Sequence, residues 1–279
     1  MEARNFVTAR EMTDDGNWIF TTLNGEVRYQ KPPLPTWLSA IMGLIFGSNT
    51  LWALRVPAAL SSVFLIYFLY QFIKRETGSK RLSALSTLIF STSFLVLMIG
   101  KRAEWDIYSY AFALAGTYYF YLTLRSNQKS FLNFSLAGLF IGLSFLSKGP
   151  TGIYVICAPF FLAYWIAYGF PKVKLAGWIW MAALAAIIGL SWYGVIYAFD
   201  KDNLLEILKI ESEARGNRAV KPISRYLSFP VQTGVWAIFS VLSLIYPIVK
   251  KKVKNQKPYQ FFFWWTVICL ILLSLVPSK

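Results

Sequence analysis

Long apolar runs separated by short polar loops constrain this chain more than any other feature of its sequence. A hydrocarbon core about 30 Å thick requires about 20 apolar residues in a helix, and such runs recur along most of the chain. Backbone groups in lipid must be hydrogen-bonded within the protein, and these runs lack the alternating hydrophobicity of barrel strands. We therefore predict an all-α fold, a polytopic transmembrane helical bundle. The predicted spans lie near residues 51–73, 82–99, 106–124, 131–147, 149–168, 175–198, 229–249 and 260–276.

The composition excludes several classes of protein. Of the 279 residues, 56% are hydrophobic and only 15% are charged, which favours lipid over water as the surrounding solvent. A net charge of +15 would suggest nucleic acid in a soluble protein, but here most basic residues lie between apolar runs as topology signals. We expect contact with membrane lipids and no nucleic acid. Because there is no histidine, and Cys157 and Cys269 lie in apolar runs, we expect no metal site, no disulfide and no cofactor.

The charges of the loops predict the orientation of the bundle. One alternating set of loops begins at 74–81 and contains a single acid, Glu76. Its basic residues are Lys74, Arg75, Lys80, Arg81, Arg125, Lys129, Lys172, Lys174, Lys250, Lys251, Lys252, Lys254 and Lys257. Short basic loops lie in the cytoplasm, which leaves both ends of this chain outside. An outer N-terminus without a signal peptide indicates that a preceding helix is missing, so we expect the sequence to be a fragment of a longer protein.

The outer segments predict folded structure as well as connections. We divide the chain into an outer-face loop at 1–50, with amphipathic helices and a catalytic motif, and a transmembrane helical domain at 51–279 with an outer loop at 199–228. Short helices are predicted at 1–12, 36–46 and 202–215, and a tight hairpin turn at Leu23–Glu26. The first helix is predicted to bury Phe6, Val7, Ala9 and Met12 on one side.

Ionisable side chains collect at the outer ends of the predicted spans. They are Glu2, Arg4, Lys31, Lys101, Arg102, Glu104, Asp106, Lys148, Arg215, Arg218, Lys221, Arg225 and Lys279. Basic residues in polar loops are commonly solvated, and those near span ends commonly contact lipid headgroups. Asp106 and Lys148 differ, because a charge at a span boundary is costly unless it faces water or a partner. Since cations can hold a phosphate and a carboxylate can act as general base, this face predicts chemistry on a lipid phosphate.

Several motifs carry a resemblance to a known family. The segments Glu2–Met12, Gly16–Trp18, Leu23–Gly25 and Tyr29–Leu38 resemble the aminoarabinose transferase branch of the GT-C glycosyltransferases, relatives of the dolichyl-phosphate-mannose protein mannosyltransferases. The likeness continues at Phe46-Gly47, Leu54–Pro57, Asp106, Lys148-Gly149 and Ser274–Lys279. It covers essentially the whole chain and corresponds to the first, membrane-embedded part of the family.

The resemblance implies a multi-pass glycosyltransferase of the bacterial cytoplasmic (inner) membrane, with its active site facing the periplasm. The implied donor is a polyprenyl-phosphate sugar, and the implied acceptor is lipid A, a glycan or a protein, as in lipopolysaccharide modification of the cell envelope. Transfer would invert the sugar. The resemblance implies that Asp106 and Glu2 are catalytic. It implies that the substrate-binding residues are Arg4, Lys31, Lys148, Arg215, Arg218 and Lys279.

The sequence departs from the family pattern at two places. The first outer loop of the family opens with Asp-Glu-x-Arg, whereas here Met1 takes the place of the first acid before Glu2. The family's Glu-Lys-Pro motif reads Gln30-Lys31-Pro32 here. In relatives that glutamate can join a histidine in holding a metal, so we predict that this chain has no such metal site.

Two other functions stay open at this stage. A lipid or sugar transporter or flippase would place ionisable residues at the midplane of spans and would show paired repeats, and the sequence shows neither. A non-catalytic fragment is the other alternative, because the first span and the first acid of the family are missing.

Overall fold

The computed structural model describes residues 2–125, 130–171, 173–216, 226, 228–245 and 256–275, with the backbone alone at 214–216. Most of this described chain is helical, and its single sheet is a two-stranded hairpin. The predicted all-α class is therefore confirmed. The helices, numbered in chain order, are α1 (Glu2–Asp14), α2 (Leu34–Phe46), α3 (Leu51–Thr77), α4 (Lys80–Ser91), α5 (Phe94–Lys101), α6 (Trp105–Arg125), α7 (Ser130–Lys148), α8 (Ala158–Tyr168), α9 (Leu175–Phe199), α10 (Lys201–Gly216), α11 (Phe229–Gln232), α12 (Ala237–Ser243) and α13 (Gln256–Leu275).

A hairpin joins α1 to α2. Its strands are β1 (Thr22–Leu23) and β2 (Glu26–Val27), as the predicted turn requires. Asn24 and Gly25 have φ angles of 55° and 79°, which are the positive values that a two-residue hairpin turn needs and that Asn-Gly adopts readily. The Glu11 carboxylate accepts hydrogen bonds from the Asn24 amide at 2.6 Å and from the β1 hydroxyl of Thr22 at 2.5 Å. The hairpin is thereby fixed to α1.

The buried face of α1 is more polar than predicted. Asn5, Thr8, Ala9 and Met12 are buried, whereas Phe6 is only partly buried. Asn5 donates to the Ala103 carbonyl at 3.0 Å and accepts from the Thr36 hydroxyl on α2 at 2.7 Å. The helix packs on other protein segments through these hydrogen bonds, which apolar periodicity does not reveal.

Helix α6 lies at the centre of the bundle. It packs against α3 on one side and α7 on the other, while α7 contacts α9, and α8 contacts α13. Its aromatic residues and those of α3 form edge-to-face pairs, such as Phe68 with Tyr118 and Phe72 with Tyr118. Helices α3, α6 and α7 therefore share one core.

Within the described residues, every predicted span coincides with a helix or a broken helix. Fewer of these helices are long and apolar enough to cross a membrane. Among the described residues, α3, α7, α9 and α13 do so, and α4 with α5 would make a fifth crossing bent by 65°. The bend follows Ser91, Thr92 and Ser93, whose hydroxyls donate to carbonyls one turn back and compete with the backbone ladder. The predicted span at 149–168 begins with a π-helical turn at Ile153–Cys157 before α8.

Two glycines allow α7 and α9 to approach closely. They form a Gly-x-x-x-Gly pattern at Gly138 and Gly142. A Cβ atom at Gly138 would lie 2.7 Å from the Met181 carbonyl oxygen, and one at Gly142 would lie 2.7 Å from the Ile188 Cβ. Such small residues bring helix backbones together where lipid gives no hydrophobic drive for association.

The ends of α3, α6 and α8 meet at a face that we call the Glu76 face. The Glu76 side chain is 0% exposed, and its oxygens lie 2.9 and 3.0 Å from Arg125 Nη2. The hydroxyls of Tyr121 and Tyr168 also donate to this carboxylate, and the Arg125 guanidinium lies 3.9 Å from the centre of the Tyr168 ring. A buried carboxylate needs such partners, because its desolvation is costly. The single acid of the basic loops thus ties three helix ends together.

Candidate active site

The opposite ends of the helices form a second face, which we call the Asp106 face. Asp106 lies in the first turn of α6, and Lys148 lies in the last turn of α7. Their side chains form an ion pair and are 17% and 13% exposed respectively. The close packing of α6 on α7 therefore brings together two residues that the sequence predicted as an acid and a phosphate ligand. Both side chains of the pair are therefore partly exposed.

Glu2 is bound on both carboxylate oxygens. Arg55, in the first turns of α3, donates to them at 2.8 and 2.9 Å, and the Ala103 backbone amide donates at 3.1 Å. The hydrogen bond from Arg55 holds the pKa of Glu2 below its ordinary value. A cleft of about 420 Å³ lies beside this pair. It is lined by Glu2, Ala3, Arg55, Met98, Lys101, Arg102 and Glu104. The carboxylate of Glu2 anchors α1, and its catalytic role stays a prediction.

Lys31 faces α10. Its amine lies 3.6 Å from the Glu211 carboxylate, and the side chains are 23% and 16% exposed. The preceding Tyr29 is buried and donates to Asp200 at 2.6 Å at the end of α9. Burial, followed by the hydrogen bond to Asp200, raises the pKa of the Tyr29 phenol well above its ordinary value. The segment before α2 is thus fastened by Tyr29 to the junction of α9 and α10, and by Lys31 to a later turn of α10.

Arg4 lies on the exposed side of α1, and the structure places Arg28 next to it. Arg28 donates to the Thr8 hydroxyl at 3.0 Å, and its guanidinium lies 5.0 Å from the centre of the Trp105 ring. Sequence reasoning missed Arg28, as it missed the pairing of Arg55 with Glu2. Neither the contacts of Arg28 nor the Arg55–Glu2 pair could be predicted from the sequence, because each joins segments that are distant along the chain.

The remaining predicted site residues are only partly described. Arg215 lies in the last turn of α10, where the backbone alone is described. Arg218 and Lys279 lie outside the described residues.

The residues present do not fit the metal site of relatives. Gln30 is exposed and is not a carboxylate. Within the described part of the chain, no group of three His, Cys, Asp or Glu residues could hold a metal ion. No chemical step is therefore assigned to a metal here.

A family model described as dolichyl-phosphate-mannose-protein mannosyltransferase matches residues 30–194, which is more than half of the chain. The chain belongs to this family. The match includes Lys31, Asp106 and Lys148, so the predicted resemblance is confirmed where the site lies.

The chain is also similar to individual relatives and to a solved structure. An uncharacterized protein of Aquifex aeolicus is 27% identical over 96% of the chain and 63% of its own length. An undecaprenyl phosphate-alpha-4-amino-4-deoxy-L-arabinose arabinosyl transferase of Shewanella sediminis is 28% identical over 72% of the chain and 37% of its own length. The crystal structure of ArnT from Cupriavidus metallidurans bound to undecaprenyl phosphate has a TM-score of 0.80 at 16% identity, over 100% of this chain and 51% of that one.

These comparisons establish the fold as a multi-pass membrane bundle of the GT-C type. At 16% identity the likeness to ArnT concerns the fold alone. The chain spans about half of that structure's length, 51%.

Proposed function

We propose that this protein is a membrane glycosyltransferase that moves a sugar from a polyprenyl-phosphate donor to an acceptor hydroxyl or phosphate. The acceptor class would be lipid A, a glycan or a protein, at the periplasmic face of the bacterial cytoplasmic membrane. The observation that carries the proposal is the Asp106–Lys148 ion pair at one face of a GT-C bundle, within a family of polyprenyl-type sugar transferases. The arabinosyl transferases among its relatives support the choice of donor.

The transfer is a single displacement at the anomeric carbon. The acceptor oxygen attacks that carbon; the proton of a hydroxyl acceptor goes to the Asp106 carboxylate, which acts as general base, whereas an anionic phosphate oxygen has no proton to lose. The bond between the anomeric carbon and the phosphate oxygen breaks, and the polyprenyl phosphate leaves with the electron pair. Lys31 and Lys148 stabilise the negative charge of the leaving group, and the sugar is inverted.

An apolar groove of about 460 Å³ suits the prenyl chain of the donor. It lies between α6, α7, α8 and α9, and its lining includes Thr117, Phe145, Trp178 and Ala182. Thr117 is 11 residues after Asp106 on α6, which corresponds to about 16 Å along a helix. A lipid held in this groove therefore extends from the hydrocarbon core towards the headgroup level of Asp106.

Transfer from donor to acceptor tests the proposal. Asp106→Asn removes the base and Lys31→Ala removes a phosphate ligand, and we expect each to lower the rate at least ~100-fold while the protein remains folded. The assay measures sugar release from a panel of polyprenyl-phosphate sugars by full-length protein in proteoliposomes containing lipid A.

Two exposed residues provide matched controls. Asp15→Asn and Lys209→Ala make the same changes of charge at sites without an ion pair among the described residues, and should leave the rate within about twofold. A near-normal rate in Asp106→Asn would remove that residue from the chemistry.

A further inference from the structure

Arg28 is a half-buried cation that lacks a negative partner. Its side-chain hydrogen bonds, to the Thr8 hydroxyl at 3.0 Å and the Arg4 carbonyl at 3.4 Å, both use Nη1. A guanidinium has five N–H donors, so Nε and Nη2 have no hydrogen-bond partner among the described residues. Burying a charge is costly unless it is paired. A buried cation with unused donors is typical of an anion-binding site.

No carboxylate side chain of the chain neutralises Arg28. The sequence contains 13 Asp and Glu residues, and every one of them lies in the described part. The ion pairs found there join these acids to other cations. The negative charge that Arg28 lacks is therefore not supplied by any acidic side chain of this sequence.

A second cation and an unpaired donor lie beside Arg28. Arg4 likewise has no ion pair among the described residues, and its charge adds to burial in lowering the pKa of Arg28 to about 10. Trp105, beneath the Arg28 guanidinium, is 2% exposed, and its Nε1–H group has no hydrogen-bond partner in the described structure. A phosphate would relieve the repulsion between the guanidinium groups and would accept hydrogen bonds.

We propose that Arg4, Arg28 and Trp105 form a phosphate-binding site distinct from the one at Lys31. The contacts of the intervening segment separate the two sites. Arg28 contacts α1 and the start of α6, whereas Tyr29 contacts Asp200 at the end of α9 and Lys31 contacts Glu211 on α10. A transferase with a lipid-phosphate donor and a phosphorylated acceptor has use for two such sites, and in this the inference rests on the proposed function.

Phosphate binding tests the second site. The full chain, in nanodiscs of zwitterionic phosphatidylcholine, is titrated by ³¹P NMR with farnesyl phosphate and, separately, with glucosamine 1-phosphate. We expect Arg28→Gln and Arg4→Gln each to weaken binding of one of these phosphates about tenfold, as the loss of a charge-assisted hydrogen bond requires. Trp105→Phe, which retains the ring without its N–H, should weaken the same phosphate severalfold.

Arg10→Gln is the matched control. Arg10 is an exposed arginine on the same helix as Arg4, and its removal makes the same change in net charge. It should change both affinities less than twofold. Equal effects of Arg28→Gln and Arg10→Gln would overturn the site. Arg4→Gln and Trp105→Phe provide the same test if Arg28→Gln does not fold.

The two probes distinguish the source of the phosphate. Weakened glucosamine 1-phosphate binding assigns the site to the acceptor, and weakened farnesyl phosphate binding assigns it to the donor. In the second case the effects of Arg28→Gln and Lys31→Ala must be additive, because non-additive effects would make the two sites one. Normal phosphate binding without transfer from any donor would count against the proposed function alone.

Discussion

Asp106 and Glu2 lie at the same face, but different groups hold them. Asp106 pairs with the flexible amine of Lys148 and hydrogen-bonds with the Tyr110 hydroxyl, whereas Glu2 is fixed by the planar guanidinium of Arg55 and by the Ala103 amide. A lysine amine is a point charge on a flexible side chain. It can therefore turn from the carboxylate to a bound phosphate. The geometry therefore favours Asp106 as the carboxylate that meets substrate and Glu2 as the one that holds α1.

Acid should reveal the anchoring role of Glu2. Its pKa is lowered in the folded protein, so the stabilisation is complete above the ordinary value of 4.5 and is lost as pH falls through the lowered pKa. We expect the melting temperature of wild type to fall more steeply below about pH 4.5 than that of Glu2→Gln. Thermal unfolding in nanodiscs between pH 7 and pH 3 measures this difference.

An exposed carboxylate gives the comparison for that experiment. Glu26→Gln, in β2, should follow the wild-type curve, because its side chain makes no ion pair in the described structure. Parallel curves for wild type and Glu2→Gln would show that the pair with Arg55 does not stabilise the fold.

At the scale of single residues, the sequence identified only part of the candidate site. Asp106 and Lys148 could be predicted as exceptional, because charges interrupt apolar runs at a known cost. Their pairing could not, since it depends on how α6 packs against α7. Arg28 could not be predicted either, because a basic residue in a loop is ordinary until its partners are known.

At the scale of elements, hydrophobicity located the helices and local hydrogen bonds decided where they break. The ends of α2, α3, α6 and α9 lie within a few residues of the predicted ones. The bend between α4 and α5 arises from hydroxyls that bond to the preceding turn. Hydropathy counts such residues as mildly polar and does not register these hydrogen bonds. The sequence therefore predicted a single span at 82–99, without the bend.

The groove beside α9 gives a prediction at this scale. Ala182→Trp should fill it and weaken binding of undecaprenyl phosphate about tenfold, with little effect on farnesyl phosphate, whose chain is shorter. Ala183→Trp is the matched control, because Ala183 is an exposed neighbour on α9 that does not line the groove. Equal weakening by both variants would place the prenyl chain elsewhere. Binding is measured by competition against a labelled polyprenyl phosphate in nanodiscs.

At the scale of the whole molecule, the helices sort their charges into two faces. The Asp106 face collects both acids and cations, whereas the helix ends at the Glu76 face lead in sequence into short basic loops, which the positive-inside rule assigns to the cytoplasm. This orientation rests on loop charges alone and stays a prediction, because it depends on composition and not on packing.

Labelling of single cysteines checks the orientation. In a background where Cys157 and Cys269 are alanine, Asn49→Cys lies at the Asp106 face and Gln256→Cys at the start of α13 on the other side. An impermeant maleimide should label Asn49→Cys in intact spheroplasts and should label Gln256→Cys only after the cells are broken. The reverse pattern would place the Asp106 face in the cytoplasm.

Helix α6 carries an ion pair at each end, and the two pairs differ in their access to water. The Glu76 carboxylate is 0% exposed although its partner Arg125 is 33% exposed, whereas Asp106 and Lys148 are 17% and 13% exposed. A substrate can therefore approach the carboxylate at one end of α6, whereas the carboxylate at the other end is covered. Under the proposed function, chemistry at the Asp106 face would then leave the helix packing around Glu76 undisturbed.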